Sequence, residues 1–235
     1  MRLVRGEIPW RKSSAIYRYQ MRTGTMNHKT LEELVSWAKS EVEATAGNRP
    51  VATGPKDPAS RDSALARLLG LIYPDLMGYL VKMTGDFHLS EDLCQETMVR
   101  IIKKLPEYKS EGRKPGAFRA WAMKIAVNLY RDYRRRLFTG MLKYSLGAAI
   151  RLDLNRTNQP SAETLAIQNL GFADLVKVLS CLPPEQREVF ILKTYYGYSY
   201  REIAEITGCP EGTAKSRFHK AVETLREELE RRDMV

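Results

Sequence analysis

Over residues 29 to 45 the apolar positions Leu31, Leu34, Val35, Ala38 and Val42 recur at helical spacing, which predicts one short amphipathic helix. Pro50, Gly54, Pro55 and Pro58 then break the pattern, so residues 47 to 60 read as a linker. Helical spacing resumes with Leu65, Leu68, Leu69 and Ile72. Pro74 is expected to interrupt that stripe and restart it as Leu76, Tyr79, Leu80 and Met83, because proline suits a first turn but not a helix interior. Beyond Gly85, Ser90 is the expected N-cap of a helix that turns Leu93, Thr97, Met98, Ile101, Ile102 and Leu105 inward and stops at Pro106. A third helix carries Phe118, Trp121, Ala122, Ile125 and Leu129 on its apolar side, with Trp121 in the core, and ends in Arg131, Arg134, Arg135 and Arg136. No segment alternates apolar and polar residues long enough to predict a strand.

Residues 138 to 163 change character, with Gly140, Gly147, Asn155, Asn158 and Pro160 interrupting short apolar pieces. They form the expected domain boundary. A second helical block follows from about residue 162: Pro183 and Pro184 mark a helix start, and Gly197 closes that helix after Tyr196. The sharpest local signal is Ser199-Tyr-Arg-Glu202, a capping box that opens a short helix with Ile203, Ala204 and Ile206 inward. Gly208-Cys209-Pro210 supplies a tight turn. The next helix, from Glu211 to about Glu230, buries Ala214, Phe218, Ala221, Val222, Leu225 and Leu229. The chain is therefore expected to be all-α, with two small helical domains joined by a flexible linker. The expected divisions are an extension (1–60), a first domain (61–137), the linker (138–163) and a second domain (164–235).

Composition narrows the function classes. Lys and Arg number 38 against 28 acids, a net +10, and 43% of the 235 residues are hydrophobic. That balance excludes collagen-like, low-complexity and wholly disordered chains, and its sign points to a polyanion, most often nucleic acid. No run approaches the roughly 18 apolar residues of a membrane span, and the N-terminus lacks an apolar core followed by a cleavage site, so no membrane insertion and a cytoplasmic location are expected. Cys94, Cys181 and Cys209 are odd in number and far apart, which fits reduced core thiols. No phosphate-binding glycine loop or metal-ligand spacing occurs, and His28, His88 and His219 stand apart. No catalytic residue, metal or cofactor is expected. Residues 1 to 27 hold six Arg and Lys against Glu7, and three readings stay open: a basic arm, a transit peptide, or a true start at Met21 or Met26.

Lys215, Ser216, Arg217, His219 and Lys220 occupy the outer N-terminal half of the helix after the glycine turn. This is the arrangement of a helix-turn-helix whose second helix enters the major groove, where Lys and Arg reach guanine edges or phosphates and hydroxyls reach either. A bare αα-hairpin with a solvated basic face would look the same.

Longer motifs carry a family resemblance. Leu182-Pro-Pro-Glu-Gln-Arg-Glu-Val-Phe190, Tyr198-Ser-Tyr-Arg-Glu-Ile-Ala204 and Glu211-Gly-Thr-Ala-Lys-Ser-Arg217 resemble region 4 of sigma-70 factors of the extracytoplasmic-function (ECF) group. Ser90-Glu-Asp-Leu-Cys-Gln-Glu-Thr97 and Phe118-Arg-Ala-Trp-Ala-Met-Lys-Ile-Ala-Val-Asn128, with Asp132 and the arginine run, are similar to region 2. The resemblance covers residues 61 to 232 and leaves out 1 to 60.

It implies a factor that binds core RNA polymerase and promoter DNA, reading the −35 element as duplex with region 4 and opening the −10 element with region 2. Carried over by position, Asp92, Gln95, Glu96 and Val99 form the polymerase-binding strip, whose acids suit a basic partner surface. Asn128 takes the place from which an extruded −10 base is read, since its amide offers donor and acceptor. Arg131, Arg134, Arg135 and Arg136 lie beside the displaced backbone, and Tyr130 or Tyr133 stacks on a base. At the −35 element Lys215, Ser216, His219 and Lys220 face bases, with Thr213 and Arg217 on phosphate or the groove edge. Ala214 and His219 depart from the commoner valine and arginine, which leaves the −35 sequence unspecified. In the family the linker threads toward the RNA exit path. Residues 29 to 45 have two readings, a segment that binds a regulator such as an anti-sigma factor, or sequence ahead of a mis-assigned start. A helix-turn-helix regulator that binds duplex DNA without acting as a sigma factor is the alternative.

Overall fold

The computed structural model describes residues 28–47, 63–109, 116–145 and 170–233. Among them are eight α-helices and no strand: α1 (His28–Gly47), α2 (Ala64–Thr84), α3 (Phe87–Lys104), α4 (Ala117–Ser145), α5 (Leu170–Ser180), α6 (Pro184–Tyr196), α7 (Tyr200–Thr207) and α8 (Glu211–Asp233), with one 3-10 turn at Leu105–Glu107. The all-α expectation holds. Two compact units divide the chain, one made of Met1–Asp75 and Met98–Arg119, the other of Leu76–Thr97 and Ala120–Val235.

In the first unit, α1 lays Leu31, Leu34, Val35 and Ala38 inward, next to the Leu105–Glu107 turn. The expected amphipathic helix is thus present and packed. Two long-range hydrogen bonds tie it down: Lys39 Nζ donates to the Tyr108 carbonyl at 3.4 Å, and Leu65 N donates to Glu41 Oε2 at 3.1 Å. Tyr108 meets Phe118 edge to face, with ring centroids 5.3 Å apart. Asp75 pairs with Arg119 at 3.0 Å.

α2 corrects the reading of Pro74, which lies inside one continuous helix. An interior proline costs about 3 kcal/mol. Leu68 and Ile72 before it and Leu76, Tyr79 and Leu80 after it are almost wholly buried, and each such side chain returns about 1.5–3 kcal/mol, so the packed stripe outweighs the break. By length and composition α2 could cross a membrane. Its inward stripe and the Asp75–Arg119 pair mark it instead as a core helix.

The start of α3 is a second correction. Gly85, with φ +72°, ends α2, and the next helix begins at Phe87 with Asp86 Oδ1 accepting from Leu89 N at 3.1 Å. Ser90 lies inside the helix, buried, and its hydroxyl lies 2.6 Å from Thr84 Oγ1 and donates to the Asp86 carbonyl at 2.5 Å. A carboxylate directly after the glycine reaches the free amides first. α4 is also longer than expected, running to Ser145 and so taking in the first residues of the 138–163 stretch. Residues 146–169 lie outside the described residues, as do 1–27 and 48–62.

The second half of the chain follows its punctuation closely. Pro183 caps α6 with Pro184 in the first turn, and Gly197 ends it in the left-handed region, φ +71°. Ser199 and Glu202 form the capping box of α7, and Gly208, φ +67°, turns the chain into α8. Val189, Phe190, Ile191, Ile203, Ile206, Ala214, Ala221 and Leu225 make the core beneath, where Phe190 stacks on Phe218 at 6.0 Å. Of the three thiols only Cys94 is buried; Cys181 is exposed and Cys209 half-buried, so two of the three expected core thiols are not core residues. Trp121, expected in the core, is half-buried.

Candidate nucleic-acid and polymerase interface

The orientation of α8, the expected recognition helix, is set by two buried alanines. Ala214 and Ala221 lie two turns apart against α6 and α7 with no measurable exposure, and this fixes which side of α8 faces out. Lys215, Ser216, His219 and Lys220 are exposed on that side, while Thr213 and Arg217 are half-buried at its edge. Thr213, Ser216, Arg217 and Lys220 border an open groove of about 490 Å³ whose other wall is the start of α6, including Glu185 and Gln186. All six expected −35 residues therefore share one helix, four of them facing solvent. Ala214 matters here because a small side chain lets α8 sit close to its neighbours.

On α3, Asp92, Gln95, Glu96 and Val99 are all exposed, and Leu93, Cys94, Thr97 and Ile101 behind them are buried. The strip is one continuous helix face. Val99 is 47% exposed, an apolar side chain placed among acids.

α4 separates the expected −10 residues. Asn128 and Arg135 are exposed two turns apart on one stripe, with Lys124 a turn before Asn128. Arg135 pairs with Asp132, and Arg136 is exposed. Tyr130 is only 7% exposed, and its hydroxyl donates to the Met83 carbonyl at 3.1 Å. It is a core residue, placed by the apolar stripe of α4, and the base-stacking expectation for it is corrected. Tyr133 is half-buried. Leu137, the last residue of the expected first domain, and Phe138, the first of the expected linker, were given no role in the sequence reading and are 45% and 55% exposed directly after the arginines.

Arg131 is engaged within the chain. Its Nε donates to Glu188 Oε1 at 3.1 Å, its Nη2 to Glu188 Oε2, and its Nη1 to the Thr207 carbonyl at 2.5 Å. Tyr79 donates its hydroxyl to Glu188 Oε1, the oxygen that also accepts from Arg131 Nε, at 3.3 Å. Glu188 has a side chain only 3% exposed; burial pushes its carboxyl upward and the Arg131 guanidinium draws it back. Burial and the neighbouring Glu188 together hold the Tyr79 hydroxyl well above its ordinary range. Arg134 reaches Glu185 at 3.9 Å across an exposed pair. Sequence reading missed Glu188. Its one signal was an acid placed directly before the apolar run Val189-Phe-Ile-Leu192. Among the described residues no group of His, Cys, Asp and Glu could hold a metal.

Comparison with known proteins identifies the family. Residues 68–137 match sigma-70 region 2, and residues 172–225 match sigma-70 region 4. The ECF RNA polymerase sigma factor SigE of Mycolicibacterium smegmatis is 33% identical over 150 residues, 63% of this chain and 54% of that protein, so the match spans about half of that relative. The ECF sigma factor SigL of Mycobacterium tuberculosis is 32% identical over 168 residues, 70% of this chain and 90% of SigL. The structure of the sigma factor RpoE from Bartonella quintana, solved with the anti-sigma factor NepR, is similar with a TM-score of 0.55 and 27% identity, covering 70% of this chain and 95% of that one. Two motif sets in one order, on helices that expose the expected strip and recognition face, and a relative matched over nine-tenths of its length place this chain in the ECF group of the sigma-70 family of RNA polymerase sigma factors.

Proposed function

We propose that the chain binds core RNA polymerase through the exposed face of α3 and directs initiation at promoters whose −35 element is read by α8 and whose −10 element is opened along α4. The observation that carries this reading is the pairing of a solvent-facing recognition helix with an acidic, partly apolar strip on an otherwise basic protein. A duplex-binding regulator needs the first and has no use for the second.

On α8, Lys215, Ser216, His219 and Lys220 supply base contacts, and Thr213 and Arg217 fix register on phosphate or the groove edge. On α4, Asn128 reads the extruded base, while Arg135 and Arg136 neutralise the displaced strand, joined by Arg134 and Arg131 as they are freed. Phe138 replaces Tyr130 as the stacking side chain, because it is exposed and lies on the Asn128–Arg135 side of the helix. Residues 61–137 and 164–235 act as the two DNA-binding domains, with 138–163 as the connection that threads the polymerase. The protein contributes no covalent chemistry and works in the cytoplasm, where the polymerase is. An anti-sigma factor is a natural partner, since the Bartonella quintana relative was solved in complex with one.

The test is run-off transcription with purified core polymerase on a genomic promoter library. A sigma factor yields transcripts sharing one −35/−10 pair. A regulator yields none without another sigma factor.

A further inference from the structure

The residue that organises the second unit is one no DNA contact requires. Glu188, on α6, takes three hydrogen bonds in a nearly dry setting, two from Arg131 of α4 and one from Tyr79 of α2. Arg131 spends all three of its guanidinium nitrogens on α6 and on the C-terminal carbonyl of α7. Arg217 of the recognition helix also lies near enough to Glu188 to favour its charged form. One carboxylate therefore draws on a cation from each of the two helices assigned to DNA. A neighbouring contact runs parallel to it, Arg187 Nη1 donating to the Met83 carbonyl at 2.9 Å.

We propose that Glu188 is an intramolecular latch, which occupies Arg131 as an anion mimic and holds α4 against α6 and α7 until polymerase separates them. The inference rests on the assignment of α4 to the −10 strand. Arg131 cannot serve a carboxylate and a phosphate together, because the two anions would repel within the same few ångströms. Opening does not strand a bare charge in the core: once α6 moves away, water reaches Glu188. Leaving the pair closed keeps Arg131 off DNA. Affinity of the free chain for single strands is then reduced by the fraction of molecules that are open.

The experiment measures fluorescence anisotropy of a fluorescein-labelled 20-nucleotide oligo(dT) with the full-length chain in the absence of polymerase, alongside small-angle scattering. Glu188→Gln keeps the shape and removes the charge, and is expected to tighten binding about tenfold and to enlarge the radius of gyration. Glu205→Gln removes the same charge from an exposed site and is expected to change affinity by no more than about twofold at physiological salt. In an Arg131→Ala background the gain from Glu188→Gln disappears. Equal binding and equal dimensions for wild type and Glu188→Gln overturn the latch, as does a gain that survives without Arg131. If Glu188→Gln does not fold, Arg131→Gln breaks the same pair from its more exposed side, and scattering that shows no expansion overturns the proposal. Failure of wild type to give any promoter-specific transcript with core polymerase would instead refute the function, while the scattering result would still decide whether the contact opens.

Discussion

Ser199→Ala tests how the short helix α7 is held in place beneath the recognition helix. Two reciprocal bonds make its capping box: Glu202 N donates to Ser199 Oγ at 3.3 Å, and Ser199 N donates to Glu202 Oε2 at 2.7 Å. Ser199 Oγ also donates to Glu202 Oε2 at 2.7 Å. Alanine keeps the bond from its own backbone and loses the other two. Because Ser199 is exposed, water replaces part of the loss, and the cost falls near 1 kcal/mol in a range of about 0.5–2. An eight-residue helix has little stability of its own, so the effect should appear as local opening of α7. The readout is hydrogen exchange by mass spectrometry on α7 peptides of the full chain, since a chain with two compact units need not melt in one transition. Exchange should accelerate about fivefold, the factor that corresponds to 1 kcal/mol. Ser199→Asp, an equally good cap, should leave exchange near the wild-type rate. If alanine does not accelerate exchange, or aspartate accelerates it as much, α7 is held by packing of Ile203 and Ile206 alone and the capping argument is wrong.

Tyr130→Phe should cost its unit about 1 kcal/mol, read as about fivefold faster hydrogen exchange around Met83, and leave promoter opening unchanged, because its hydroxyl bonds the Met83 carbonyl inside the fold. Phe138→Ala should do the reverse, leaving stability within about 0.5 kcal/mol while reducing permanganate reactivity of the opened −10 strand. Leu34→Ala on α1 should destabilise its unit by about 2–5 kcal/mol, seen as faster exchange of residues 28–47 and of the 105–109 turn, since Leu34 is 2% exposed; wild-type exchange would show that α1 is not anchored there. Alanine at Lys215 or Lys220 should each lower the slope of log affinity against log salt for −35 duplex by about 0.9 if the side chain meets a phosphate, and leave it unchanged if it does not. Burial pushes the Cys94 thiol up to about 11 from 9.0. The fold therefore holds that proton more tightly than the unfolded chain does, and the associated stability is complete below about pH 9 and lost as pH rises toward 11. At pH 8 a thiol reagent should label the exposed Cys181 first and Cys94 only on unfolding; early labelling of Cys94 would contradict its burial.

Helix existence and order were legible in the sequence because they depend on local chemistry. Glycine at positive φ, proline in a first turn and the Ser199–Glu202 box act within a few residues, and α6 and α7 begin and end, and α8 begins, where those residues stand. The exposed strip of α3 and the outer face of α8 were legible for a similar reason: a period near 3.6 residues decides which side chains turn away from a core. Pro74 was misjudged because its local cost is small beside the burial of Leu68, Ile72, Leu76 and Leu80, and burial is a sum over the whole packed stripe. Ser90 lost its capping role to a better-placed neighbour, Asp86. Tyr130 follows the apolar stripe of α4 into the core, but the fate of its neighbour Arg131 was beyond the pattern altogether. They are adjacent in sequence, yet one is packed into the core and the other bridges to residues 57 and 76 positions away, Glu188 and Thr207. Periodicity can say that a side chain leaves its helix in a given direction. Only tertiary structure brings a buried carboxylate to meet it there, because the energy of that pair depends on water being excluded by segments distant along the chain.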